Sequence, residues 1–253
     1  SLLPLNISKK DLQFRGTVAM QGRGKNLNDI VGTVAVKDFW FVKNRKDTLA
    51  IDTATLVSRL ENNGEKHFLF TSNLGDVDLQ GRFLVEAIPN HFLNYLTVNF
   101  PRFSKKVGIQ PPKKMPTDTA RFAFSVKLKD LQGLPGFVNE KLSGFNKAEV
   151  AGSFDGYENK LVAEVTVPEW SWQKIGFGDV YFKTSLEGNE GSLLVGVMQT
   201  EFGEDQTLSP ILVNSQVYGD TMEFLLVSSN FYKVLDNLNI NGIVTLDETE
   251  AWR

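Results

Sequence analysis

Residues able to do chemistry are few and scattered. The chain has two histidines, no cysteine and 30 acidic residues. His67 stands at the start of an alternating stretch and His91 in the first turn of a helical one, and neither has metal-ligand or nucleophile spacing around it. Without cysteine there are no thiolate nucleophiles, disulfides or cysteine zinc sites. Asp76 and Asp78 share one parity of a strand and have calcium-ligand chemistry, but no calcium-loop spacing follows them, so they read as a solvated face. Gly22-Arg-Gly-Lys25 offers glycines and cations without phosphate-loop spacing and reads as a turn. Nothing singles out a carboxylate pair for glycoside hydrolysis. The expectation is a non-enzymatic protein with no cofactor and no metal, working through a surface.

Composition narrows that surface. A net charge of -3, with 27 basic and 30 acidic residues interspersed, leaves no basic footprint for nucleic acid. At 42% hydrophobic, with 19 Phe, the chain can bury a core. No stretch reaches the roughly 18 apolar residues of a membrane helix. A cysteine-free chain suits the cytosol or an oxidising periplasm. The opening Ser, with a strand pattern already under way at 12–20, reads as the start of a piece, any signal or anchor lying outside it.

Period-two alternation dominates. In 76–86, Val77, Leu79, Phe83 and Val85 oppose Asp76, Asp78, Gln80 and Arg82; in 120–129, Phe122, Phe124, Val126 and Leu128 oppose Arg121, Ser125 and Lys127. Similar strands follow around Val165, Phe182 and Val244, giving roughly 12 to 15 in all. Asn63-Gly64, Tyr157-Glu-Asn159 and Gly188-Asn-Glu-Gly191 separate them as hairpin turns.

A longer pattern occurs twice. Val34-Ala-Val-Lys-Asp-Phe-Trp-Phe41 returns as Val165-Thr-Val-Pro-Glu-Trp-Ser-Trp172, with Asp38 matching Glu169. Simple alternation would bury both acids, which is costly. A one-residue bulge after the second Val removes the conflict and puts Val34, Val36, Phe39 and Phe41 on one face, with Val165, Val167, Trp170 and Trp172 matching. Helical spacing occurs at Ile88, Phe92, Leu96 and Phe100, stopped by Pro101, and at Leu131, Leu134, Val138 and Leu142, ended by Ser143-Gly144. Between them the proline- and lysine-rich 104–116 reads as a loop or linker. The division is a first β unit (1–103), the linker (104–116) and a second β unit (117–253).

A dozen apolar-faced strands cannot be covered by two short helices, so the sheet must fold over itself. Closure gives a sandwich or barrel; incomplete closure gives a trough with an open apolar floor. The Leu27-Asn-Asp-Ile-Val-Gly32 turn leading to an aromatic strand, the Gly81-Arg-Phe83 strand, the helix ending at Phe100-Pro101, then Phe124-Ser-Val-Lys-Leu-Lys-Asp130 and Ala151-Gly-Ser-Phe154 resemble the repeats of TamB-like proteins of the AsmA family. That resemblance implies a mainly β protein, an elongated antiparallel sheet folded over an apolar interior with two short amphipathic helices. It further implies an envelope protein tethered to the inner membrane and reaching through the periplasm. Its groove would hold phospholipid acyl chains, and the full-length protein would meet an outer-membrane barrel partner. The groove candidates are the eight residues of the duplicated motif, Val77, Leu79, Phe83, Val85, Phe122, Phe124, Val126, Leu128 and Phe182. The alternative is a closed β-sandwich binding or adhesion module.

Overall fold

The computed structural model describes residues 2–9, 12–25, 28–43, 47–116, 118–129, 131, 141–202, 206–208, 210–231 and 235–246. Six strands come first: β1 (Leu2–Lys9), β2 (Leu12–Arg23), β3 (Val31–Lys43), β4 (Asp47–Leu60), β5 (Lys66–Ser72) and β6 (Gly75–Arg82). After a helical insert come β7 (Arg121–Leu128), β8 (Leu142–Gly144), β9 (Glu149–Asp155), β10 (Lys160–Trp172), β11 (Ile175–Glu187) and β12 (Glu190–Phe202). The last are β13 (Gln206–Leu208), β14 (Ile211–Tyr218), β15 (Thr221–Phe231) and β16 (Leu235–Thr245).

All sixteen belong to one antiparallel sheet in sequence order, with β8 and β13 pairing off the main path to β10 and β12. At about 4.8 Å per strand the path from β1 to β16 runs roughly 60 Å. The protein is therefore mainly β: one open sheet curled over an apolar face, with two short helices. The strands are not divided between two facing sheets. β6 pairs directly with β7, from Gly75 opposite Leu128 to Arg82 opposite Arg121, so the sheet runs unbroken past the insert.

The insert is a single 3-10 turn (Val85–Ala87), α1 (Ile88–Asn99) and α2 (Pro101–Lys106). Its Ile88, Phe92 and Leu96 stripe packs against a core of Phe68, Phe83, Tyr95, Phe100, Phe122 and Phe154. Phe92 meets Phe122 and Phe124 edge-on at 5.9 and 6.2 Å, a favoured aromatic geometry.

Four expectations change here. The strand expected over 76–86 ends at Arg82, because the chain turns into the insert; Phe83 and Val85 sit beyond the ladder. Pro101 does end α1, but it also occupies the first turn of α2, where its missing N–H has no partner to lose. Ser104–Lys106 is thus helix, not linker. Of the second helix, residues 132–140 lie outside the described residues, and Leu142–Gly144 is a strand held by the backbone of Trp170–Trp172. Ladder bonds to an existing strand outweigh a helical spacing already weakened by Gly133, Pro135 and Gly136.

The bulge is present in β3. Lys37 faces Thr17 and Trp40 faces Arg15, so β3 has one residue more than β2 between those pairs. Asp38 has φ 50°, a left-handed conformation that a short polar side chain tolerates. The facing follows: Phe39 is half-buried and Trp40 is 52% exposed. The bulge expected in the second copy is absent: one residue on each strand, Pro168 and Asp179, lies between the Val167–Val180 and Glu169–Gly178 pairs, so the register does not shift, and the left-handed residue is Asp179 on the neighbouring strand with φ 47°. Glu169 stays paired with Gly178 and points to solvent. Aspartate thus takes the left-handed position in both places.

Burial assigns the faces, and Phe122→Ala should cost about 3–5 kcal/mol by emptying packed space. Lys127→Ala, which removes only an exposed 3.6 Å pairing with Glu149, should cost less than about 1 kcal/mol. Urea unfolding midpoints check this, and equal losses would contradict the assigned faces.

Candidate functional site

The helical insert touches only one margin of the sheet. Along that margin lie the β2–β3, β4–β5, β9–β10, β11–β12 and β14–β15 turns and the end of β16. Asn28 accepts a bond from the Val85 N–H at 2.9 Å. The Tyr95 hydroxyl donates to the Gly188 carbonyl at 2.9 Å, and Asn99 pairs with Asn159 at 3.1 Å. Asp220 accepts from the backbone N–H groups of Arg102 and Phe103, and the Arg102 guanidinium donates to the Leu246 carbonyl at 2.9 Å. The insert is a strap from the β2–β3 turn to the end of β16.

Beneath it the concave face is closed: Phe122 and Phe154 are each 3% exposed and Tyr95 is 2% exposed. Away from it the same face is only half-buried among the described residues. One register row crosses every path strand from β2 to β16, namely Met20, Val34, Leu56, Phe70, Val77, Val126, Val150, Val165, Phe182, Val195, Val213, Leu226 and Ile240. No member is polar and none is fully buried. The neighbouring row, nearer the strap, is interrupted by Gly22, Gly32, Ser58, Gly152, Thr184, Ser215 and Gly242. At Gly152 a β-carbon would come within 2.8 Å of the tip of the Phe124 ring, so that ring occupies the space a side chain would fill. The Ser215 and Ser228 hydroxyls are buried without a hydrogen-bond partner among the described residues.

A cavity of about 370 Å³ branches from this floor where α1 meets α2. Leu96, Phe100 and Phe103 roof it, and Ala163, Phe182, Leu193, Val217 and Met222 are among the residues on its sheet side.

The groove candidates separate accordingly. Val34, Val77, Val126, Val165 and Phe182 fall in the continuous row. Leu79 and Phe124 fall one row nearer the strap, while Val36, Leu128 and Val167 lie farther from it. Phe83 and Phe122 are sealed under α1, with Val85 packed beside them, so these are core rather than lining. Trp170 stacks on Phe177 at 4.4 Å and Trp172 is 37% exposed, both toward the margin opposite the strap. Phe39 is half-buried beyond the bulge, and the Phe41 side chain lies outside the described residues.

The polar candidates do not converge. His67 bonds to Asp78 at 2.8 Å while Asp76 is held by Lys129 at 2.7 Å, so the two acids face different partners. His91, on the buried side of α1, bonds to Asp118 at 3.2 Å. Among the described residues no group of three His, Cys, Asp or Glu comes together, and no helix is long and apolar enough to cross a membrane.

The chain was compared with family models, curated proteins and solved structures. None of the three comparisons finds a match.

The cavity was not legible in the sequence. Leu193, Val217 and Met222 alternate in their own strands, but only the register sets them beside Phe182, and Phe103 follows the proline taken to end the helix.

Tyr95 fastens the strap, and burial, with Glu187 nearby, pushes its phenol from 10.0 up to about 12. Folding therefore favours the neutral phenol. Its contribution should be full below pH 10 and decline between pH 10 and about 12 as the folded phenol ionises. Tyr95→Phe should cost about 1 kcal/mol at neutral pH, the worth of one hydrogen bond, and should lack this alkaline decline. Urea midpoints across that pH range check both.

Proposed function

We propose that this chain is a non-enzymatic segment of a cell-envelope protein whose apolar groove holds or conducts phospholipid acyl chains between membranes. The observation that carries the reading is the register row from Met20 to Ile240, apolar at every position and nowhere fully buried. A closed core would bury such a row, and a surface facing only water would interrupt it with charges. Here the opposite face does carry the charge, through Arg121, Lys127, Glu164 and Lys183.

An acyl chain suits the row because it is apolar along its length and asks for no hydrogen bonds. At about 0.8 kcal/mol per buried methylene, eight methylenes would contribute roughly 6 kcal/mol before the cost of association. The resemblance to TamB-like proteins supports the same reading and adds a periplasmic location, an inner-membrane tether outside this chain and an outer-membrane barrel partner of the full-length protein.

The test places a photocrosslinking residue at Val126 or Val195, in the row, and at Lys127 or Glu164, on the other face. With phospholipid vesicles, adducts should form from the first pair and be at least about tenfold weaker from the second, the order of difference that desolvating an apolar floor gives. Equal labelling from both faces, or none from either, would end the proposal.

A further inference from the structure

We propose that the cavity under the α1–α2 junction takes one unbranched alkyl chain and limits its length. This rests on the reading of the apolar row as an acyl-chain site and adds a side pocket that discriminates among chains. Three observations point to it.

First, the pocket offers no polar group to a ligand. The Thr184 hydroxyl donates to the Ser192 carbonyl at 3.0 Å, Thr221 and Thr245 share a bond at 3.2 Å, and Asp220 accepts from the first turn of α2. A peptide would bring amide groups that no partner here could satisfy, and a charged headgroup would lose its water without compensation. A hydrocarbon tail leaves nothing unpaired.

Second, the size suits one chain and not two. An apolar cavity of ~150 Å³ accepts one benzene, so about 370 Å³ corresponds to roughly 15 carbons. The two tails of a diacyl lipid exceed that.

Third, the pocket joins the row and is roofed on the strap side. Phe182 belongs to both. Leu96, Phe100 and Phe103 stand over the far side, and the strap carrying them is pinned at Asp220 and Leu246. A tail entering beside Phe182 runs toward Leu96 and the buried Phe100 ring, which stop it, while its headgroup stays in water outside the pocket. A fatty acid and a lysophospholipid share this single-chain chemistry.

The experiment measures displacement of a fluorescent fatty acid by saturated fatty acids of about 8 to about 20 carbons, then by a lysophospholipid series and a diacyl phospholipid. Affinity should rise about fourfold per methylene, as 0.8 kcal/mol each implies, and level off near 15 carbons. The lysophospholipids should break at the same length, and the diacyl lipid, with one tail in the pocket and the other on the row, should break there too when the tail lengths are varied together. Ala163→Phe, which fills the pocket, should move the break to shorter chains. Leu193→Ala, which enlarges it, should move the break to longer chains, a shift that misfolding cannot produce. If both variants leave the break in place while Val126 still crosslinks to lipid, the pocket inference fails and the row keeps its function. If no chain binds and no crosslink forms, both fail together.

Discussion

An antiparallel sheet with one apolar face must cover that face, and the described residues include little to cover it with. The cost of leaving it in water scales with area at about 25 cal/mol per Å², so the covering decides the architecture. Two short helices suffice for one margin only. There the aromatic rings are packed to a few per cent exposure; one or two register rows away, valines of the same parity keep contact with solvent. The curl of the sheet, the position of the strap and the existence of a groove all follow from that shortage.

The strap is fastened at turns and at the end of β16, through backbone carbonyls and through the side chains of Asn28, Asn159 and Asp220. Gly188 and Leu246 offer carbonyls, while Asp220 caps α2 from the β14–β15 turn. Fastening at turns leaves the ladders intact, so the sheet loses no strand pairing to hold the helices. It also fixes which margin is closed. Successive turns alternate between margins, and among the described residues the bonds from Tyr95, Asn99 and the first turn of α2 all go to turns of the same one.

Much of this was legible in the sequence for a local reason. Strand parity depends on neighbours two positions apart, so Val77 and Val126 could be set against Asp78 and Lys127 by inspection. The bulge was legible because alternation would have buried Asp38. What escaped depends on distant partners. Pro101 looked like a stop, and only the Asp220 carboxylate shows why a second helix begins there. Leu142 fitted a helical stripe until the edge of Trp170–Trp172 claimed it. Phe83 and Phe122 carry the correct parity for the groove, yet the strap overlies them; parity says which side a residue faces, not what lies above it. The cavity is a further step away, since it exists only once β10 to β16 are in register beneath Phe100 and Phe103.

The strictly sequential strand order has a mechanical consequence. Each path strand is bonded to its neighbours on that path and to little else, whereas the strap joins Arg102 to Leu246 and Tyr95 to Gly188 across long stretches of chain. Tension along the polypeptide would peel edge strands away one ladder at a time, each rupture small, until it reached those ties. Past that point several turns must release together. Among the described residues the molecule is a compliant zipper with a stiff clasp, and the clasp sits where the groove is closed.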